Sequence, residues 1–190
     1  MVSLPPSTVP AASGNERELE LLRLVVGRDR AAFKELYLIY HRRLARFLMR
    51  MTSHHELIEE IINDTLWTVW LKAGDFRGAS RVSTWIVGIA YRRALKTLRR
   101  ANVPTTRADD ELPAIDVHSA DEERQWIDQA LAELPFEQRS VLELTYLLGH
   151  SCEEVADIMK CPVNTVKTRM FHAREKLRRS LPRLAGVEER

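Results

Sequence analysis

Apolar positions in this chain recur at steps of three and four, the spacing that lines one face of a helix. Leu19, Leu22 and Val26 open the series; Phe33, Leu36, Tyr37, Tyr40, Leu44 and Leu48 continue it. Gly27-Arg28-Asp29 interrupts it, so two helices are predicted between Glu16 and Met51. In the polar turn after Met51, Ser53 and Glu56 have capping-box spacing. Leu57, Ile61, Leu66 and Trp70 predict a third helix over Glu56–Lys72. Ala73–Arg81, AGDFRGASR, reads as a loop. A fourth helix runs from Val82 or Ser83 to Arg100, with Trp85, Ile89 and Leu95 inside and Arg92, Arg93, Lys96, Arg99 and Arg100 outside. Periodicity lapses over Ala101–Ala120, which holds Pro104, Pro113 and several acids and reads as a linker. It returns at Trp126, Ile127, Ala130, Leu131 and Leu134, until Pro135 ends or kinks the helix. Helices follow over Phe136–Leu148 and Ser151–Lys160, with Ser151 and Glu154 as a second capping box. A last helix covers residues 162–179, with Pro162 at its first position. No stretch alternates as a strand does, so the chain is predicted to be all-α. Residues 1–15 read as a tail, 16–100 and 121–184 as two small helical domains joined by the acidic linker 101–120, and 185–190 as a tail.

Composition sharpens this picture mainly through charge. The net charge of +2 hides a division. Residues 16–100 carry 17 Lys/Arg against 10 Asp/Glu, residues 101–135 carry 2 against 9, and residues 136–190 carry 10 against 8. Two basic segments flank an acidic strap, which suggests a polyanion partner for the segments. With 45% hydrophobic residues the chain can build packed cores. It holds no apolar run near 18 residues, and its N-terminus lacks the charged and apolar regions of a signal peptide, so a cytoplasmic chain with no membrane insertion is expected. Cys152 and Cys161 fit a reduced compartment and stand outside any ligand set at metal spacing. His41, His54, His55, His118, His150 and His172 are scattered, with no HExxH, P-loop or nucleophile elbow. Neither a metal, nor a cofactor, nor an enzyme is expected.

The chemistry lies in two stretches. In residues 162–179, Val166, Met170, Ala173 and Leu177 form one apolar face. The remaining surface carries Asn164, Thr165, Lys167, Thr168, Arg169, Phe171, His172, Arg174, Lys176, Arg178 and Arg179, with Glu175 the only acid from Lys160 to Arg183. After a short helix and a turn, this reads as the second helix of a helix-turn-helix, the element that enters the major groove. Lys167, Thr168, Phe171 and His172 are assigned to base edges, with His172 open to a plain surface role. Arg169, Arg174 and Arg178 are assigned to phosphates. In the other stretch, Trp67, Trp70, Phe76, Trp85 and Tyr91 are interleaved with Arg77, Arg81, Arg92, Arg93 and Lys96. Aromatics among cations suit single-stranded nucleic acid, although Trp67 and Trp85 read first as core. Phe76 sits in the loop and is the better candidate for exposure; the loop Phe76–Thr84 would shape a pocket for an unstacked base. The acidic and apolar run 56–64 is either a solvated helix face or a partner surface.

Three segments together resemble an alternative sigma factor of the sigma-70 family, extracytoplasmic-function (ECF) group: ELIEEIINDTLWTVW at 56–70, FRGASRVSTWIVGIAYRRALKTLRR at 76–100, and LPFEQRSVLELTYLLGHSCEEVADIMKCPVNTVKTRMFHAREKLR at 134–178. The resemblance implies sigma region 2 over the first domain and region 4 over the second. It implies core RNA polymerase as partner, met at the β′ clamp by residues around Glu60, Asp64, Trp67 and Trp70 and at the β flap by region 4. It implies reading and melting of a promoter −10 element by Phe76, Arg77, Ser80, Arg81, Ser83, Thr84, Trp85, Arg92 and Lys96. It implies duplex reading of the −35 element by Asn164, Thr165, Lys167, Thr168, Arg169, Phe171, His172, Arg174 and Arg178, and an anti-sigma factor as a further partner. Where many members have Asn and Asp, this chain has Arg92 and Lys96, both adding positive charge. Two other readings of the residues are a polymerase-independent helix-turn-helix regulator and a sigma-like decoy for an anti-sigma factor.

Overall fold

In a computed structural model, residues 11–101, 127 and 129–184 are described, and every regular element among them is helical. Helix α1 (Ala11–Val26) begins inside the stretch read as a tail. Helix α2 (Arg30–Leu48) starts at Asp29, whose carboxylate accepts from the backbone N–H of Ala31 and Ala32. This satisfies two of the donors that a helix start leaves open. Arg28, just before, sits in left-handed backbone at φ 65°. Its guanidinium donates to the Trp70 carbonyl at 2.9 Å and lies over the Trp70 ring. The turn between α1 and α2 is thereby clipped to the end of α3 (His55–Lys72). That helix starts after His54 with no side-chain cap, so the Ser53–Glu56 box does not form. Thr52 instead accepts from the His54 N–H. A single 3-10 turn, Ala73–Asp75, leads towards α4 (Val82–Arg100).

Of the predicted apolar positions of α2, Leu36, Tyr40, Leu44 and Leu48 are fully buried, and Phe33 and Tyr37 are half-buried. Tyr40 is a buried polar anchor. Its hydroxyl donates to Glu18 at 2.6 Å, and Arg43 reaches the other oxygen of the same carboxylate. Burial, and then the Glu18 charge, hold the phenol well above its ordinary value. A buried hydroxyl is tolerated here because the bond is made.

The C-terminal half holds α5 (Phe136–Leu142), which widens into one π turn at Glu143–Leu147, then α6 (Cys152–Met159) and α7 (Val163–Leu184). The sequence predicts a continuous helix to Leu148; the π turn replaces its second half. Helices α6 and α7 meet through Val155, Ala156 and Ile158 on one and Val166, Met170 and Ala173 on the other, all buried. Half of the expected helix 121–134 lies outside the described residues; the described part brings Ala130 and Leu134 into the core.

The tight turn between α6 and α7 rests on Lys160 at φ 53°, which caps α6 through an N–H to the Ala156 carbonyl. A residue with a Cβ is strained by about 1 kcal/mol or more there. Lys160→Gly should therefore raise the unfolding free energy by about 0.5–1 kcal/mol, read as a higher thermal midpoint.

Candidate nucleic-acid interface

The Ser151–Glu154 capping box forms in full: the Ser151 hydroxyl accepts from the Glu154 N–H, and the Glu154 carboxylate accepts from the Ser151 N–H. With the left-handed turn at Lys160, it fixes where α7 leaves the domain. Pro162 lies one residue before α7, and its carbonyl accepts from Thr165 and Val166.

The outer face of α7 presents Asn164, Lys167, Thr168, Phe171, His172, Arg174 and Arg178 to solvent. Phe171 is 61% exposed, its ring edge-on to His172. A large ring held in water on a cationic face, with its partner ring beside it, suits contact with base methyls and stacking surfaces better than it suits a core. Thr168 turns its hydroxyl back to the Asn164 carbonyl. Arg178 pairs with Glu175 at 2.7 Å. Thr165 and Arg169 are half-buried, and the Arg169 guanidinium points back to the turn, 3.9 Å from the Cys161 sulfur.

One residue in this face was missed by sequence reasoning. Tyr146, on the π turn, is 65% exposed, and its hydroxyl accepts from Arg174 while the guanidinium also lies over its ring. A tyrosine in a helical run reads as core. Its outward position follows from the extra residue of the π turn, which rotates the side chains after it.

In the other half, α3 carries an exposed stripe: Glu60, Asp64, Trp67 and Leu71, at steps of four, three and four. Trp67 is 57% exposed, which corrects its reading as core. Trp70, by contrast, is half-buried and tilted on Phe33 at 5.0 Å. Leu71, 52% exposed, extends the stripe and was also missed; its i, i+4 spacing from Trp67 was the available signal. Asp64 pairs with Arg93 at 2.6 Å, tying the stripe to α4.

The loop before α4 differs from expectation at Phe76. It is half-buried and packed on Trp85 with ring centroids 5.5 Å apart, so the two aromatics form one shelf. Arg77 and Lys96 are exposed, while Ser80, Ser83 and Trp85 are half-buried. The Arg92 residue as a whole is exposed, yet its guanidinium folds back against Gly88, and burial there lowers its pKa. Thr84 is 3% exposed, its hydroxyl donating to Glu154 of α6 at 2.9 Å. Arg81 approaches the same carboxylate at 3.6 Å. Arg81 and Thr84 are thus brought to the helix-turn-helix and away from the Phe76–Trp85 shelf.

Among the described residues no group of three or more His, Cys, Asp or Glu could hold a metal ion, and no helix is long and apolar enough to cross a membrane.

Residues 36–103 match the family described as Sigma-70 region 2, and residues 124–177 match Sigma-70, region 4. The ECF RNA polymerase sigma factor SigM of Mycobacterium tuberculosis is 34% identical over 166 residues, covering 86% of this chain and 84% of that protein. The ECF RNA polymerase sigma factor RpoE of Cereibacter sphaeroides is 32% identical over 160 residues, covering 81% and 88%. Among solved structures, the sigma factor RpoE of Bartonella quintana, in complex with the anti-sigma factor NepR, superposes with a TM-score of 0.62 at 25% identity, covering 83% of this chain and 98% of that one.

Proposed function

Because the chain belongs to the extracytoplasmic-function group of sigma-70 RNA polymerase sigma factors, we propose that it binds core polymerase and directs initiation at promoters by reading −35 and −10 elements. Polymerase supplies the catalysis; this chain supplies recognition and melting. Residues 16–100 serve polymerase binding and the −10 element, and residues 121–184 serve the −35 element.

The observation that carries this reading is the outer face of α7. It combines Lys167, Phe171, His172 and Arg174 in solvent, on a helix braced by α6 in helix-turn-helix order. Base edges fall to Asn164, Lys167, Thr168, Phe171 and His172; phosphates fall to Arg174 and Arg178, with Thr165 and Arg169 on the inner flank. Tyr146 holds the Arg174 fork in place and adds a hydroxyl beside it. The Phe76–Trp85 shelf serves the unstacked −10 strand, together with Arg77, Ser80, Arg81, Ser83, Thr84, Arg92 and Lys96 of the same loop and helix. The α3 stripe of Glu60, Asp64 and Trp67, with Trp70 behind it, serves the polymerase clamp. An anti-sigma factor is proposed as a further partner, as the Bartonella quintana relative is bound to one.

The test is transcription by purified bacterial core polymerase on a pool of genomic promoters, with and without the chain. Initiation at a defined promoter set only when the chain is present is expected. Binding of the chain alone to promoter duplex, with no effect on initiation, would replace this reading with that of an independent DNA-binding regulator.

A further inference from the structure

A cleft of about 430 Å³ opens where α1, α2 and the start of α4 meet the end of the π turn and the turn after it. Three guanidinium groups line it, those of Arg43, Arg46 and Arg81, against one acid, Glu18. Glu18 is buried and pairs with Arg43 at 2.5 Å. Arg81 lies 3.6 Å from Glu154, beyond hydrogen-bond reach. Arg46 is exposed and forms no ion pair or hydrogen bond with a described residue. His150 belongs to the same wall. It is 4% exposed, and its Nδ1 has no hydrogen-bond partner; the nearest Glu154 oxygen is 3.7 Å away. Burial lowers the His150 pKa, so the ring is neutral and carries one N–H. The Thr145 hydroxyl is also buried without a partner, in a smaller hollow that shares Arg81, Gly149 and His150 with the cleft. Val87, Leu147 and Leu148 supply the apolar part of the wall.

These features narrow the class of ligand. Buried polar atoms in folded chains are nearly always bonded, so an unbonded ring nitrogen beside a cleft points to a partner that arrives from outside. Guanidinium forks match the oxygens of phosphates and carboxylates. Three arginines against one glutamate leave the wall with two cations in excess. A phosphate monoester carries roughly two negative charges at neutral pH and has three acceptor oxygens, whereas a carboxylate has one charge and two. The wall therefore favours the phosphate. The volume lies within the range of roughly 300–1,000 Å³ common for small-molecule sites. It exceeds what a bare phosphate fills, and the leucines and valine suit an apolar body attached to it.

We propose that this cleft binds a small organic phosphate, its phosphate group held by Arg46, Arg81, Ser83 and His150 and its apolar body resting on Leu147 and Leu148. The site goes beyond the sigma-factor reading and does not depend on it. Arg81 and Ser83 are also assigned to the −10 strand, whose backbone shares the phosphate chemistry, so the test separates a free phosphate from a nucleic acid.

The test is calorimetric titration of the full chain with inorganic phosphate and with phenyl phosphate. Phenyl phosphate should bind at least about tenfold more tightly, because its ring adds buried apolar area. Arg46→Ala should weaken phenyl phosphate by at least about fivefold. Arg42→Ala, an exposed cation of the same helix outside the cleft, should change it by no more than about twofold. Both substitutions are at exposed positions, so both variants should fold. On the unaltered chain, saturating phenyl phosphate should shift the ring-nitrogen resonances of His150 and leave those of the exposed His55 and His172 in place. Equal affinity for the two phosphates, equal losses from Arg42→Ala and Arg46→Ala, or an unmoved His150 would each overturn the proposal. So would a short single strand of DNA whose binding falls as much as that of phenyl phosphate in Arg46→Ala, since the cleft would then belong to a nucleic-acid backbone.

Discussion

Trp67→Ala will weaken binding to core polymerase by roughly 30-fold or more and leave the chain's own stability within about 0.5 kcal/mol. The two expectations follow from one fact: the ring is 57% exposed, so most of it contributes nothing to the folded chain. An exposed tryptophan between Asp64 and Leu71 has the composition of an interface centre, an aromatic anchor rimmed by charge. Truncation of such an anchor costs about 2 kcal/mol or more, and each 1.4 kcal/mol is tenfold in affinity. A surface substitution away from caps and cores changes stability by about 0.5 kcal/mol at most. The neighbouring Trp70 supplies the contrast. It is half-buried between Phe33 and Arg28, so Trp70→Ala should lower the unfolding midpoint and weaken polymerase binding together. Titrating labelled chain into core polymerase, beside a thermal melt of each variant, separates the cases. Unchanged affinity for Trp67→Ala would remove the α3 stripe from the polymerase surface.

The helices were legible because their signals are local. Ser151 caps where its spacing from Glu154 says it should, and the three-and-four rhythm of Leu36, Tyr40 and Leu44 matches their burial. The outward face of α7 was legible for the same reason, since acids are nearly absent from it. The sequence misled where a residue's surroundings come from another element. Trp67 and Phe76 depart from expectation in opposite directions: the tryptophan is 57% exposed, and the loop phenylalanine is half-buried against Trp85, one turn into α4. Tyr146 turns outward only because the backbone widens at Glu143–Leu147, and no periodicity rule foresees one extra residue in a turn. The contacts between α4 and α6 join two halves separated by a linker, so the Thr84–Glu154 bond spans 70 positions of sequence. A capping glutamate gives no sign that its second oxygen is used elsewhere.

Lys167→Ala and Arg178→Ala will fail in different ways on the same −35 duplex, and the difference tests the geometry of α7. Lys167 stands one turn before Phe171 on the outer face and is exposed along its length of helix. On the proposed reading its ammonium reaches base edges, so its loss should cost about 1–3 kcal/mol, roughly 5- to 150-fold, and relax preference at one base pair. Arg178 lies three turns further on, beside Glu175, and is proposed to meet the phosphate backbone. Its loss should weaken all sequences about equally and reduce the salt slope of binding by about 1. Arg169 gives the internal control: its guanidinium faces Cys161, so Arg169→Ala should leave both base preference and salt slope nearly unchanged. Tyr146→Phe removes the hydroxyl that accepts from Arg174 while keeping the ring beneath the guanidinium. It should weaken binding less than Arg174→Ala, with the salt slope preserved. Binding of holoenzyme to a −35 library at several salt concentrations reads all five variants. A Lys167→Ala variant with unaltered base preference and a reduced slope would move that lysine to the phosphates. Base reading would then fall to Asn164, Thr168, Phe171 and His172, one step around the helix.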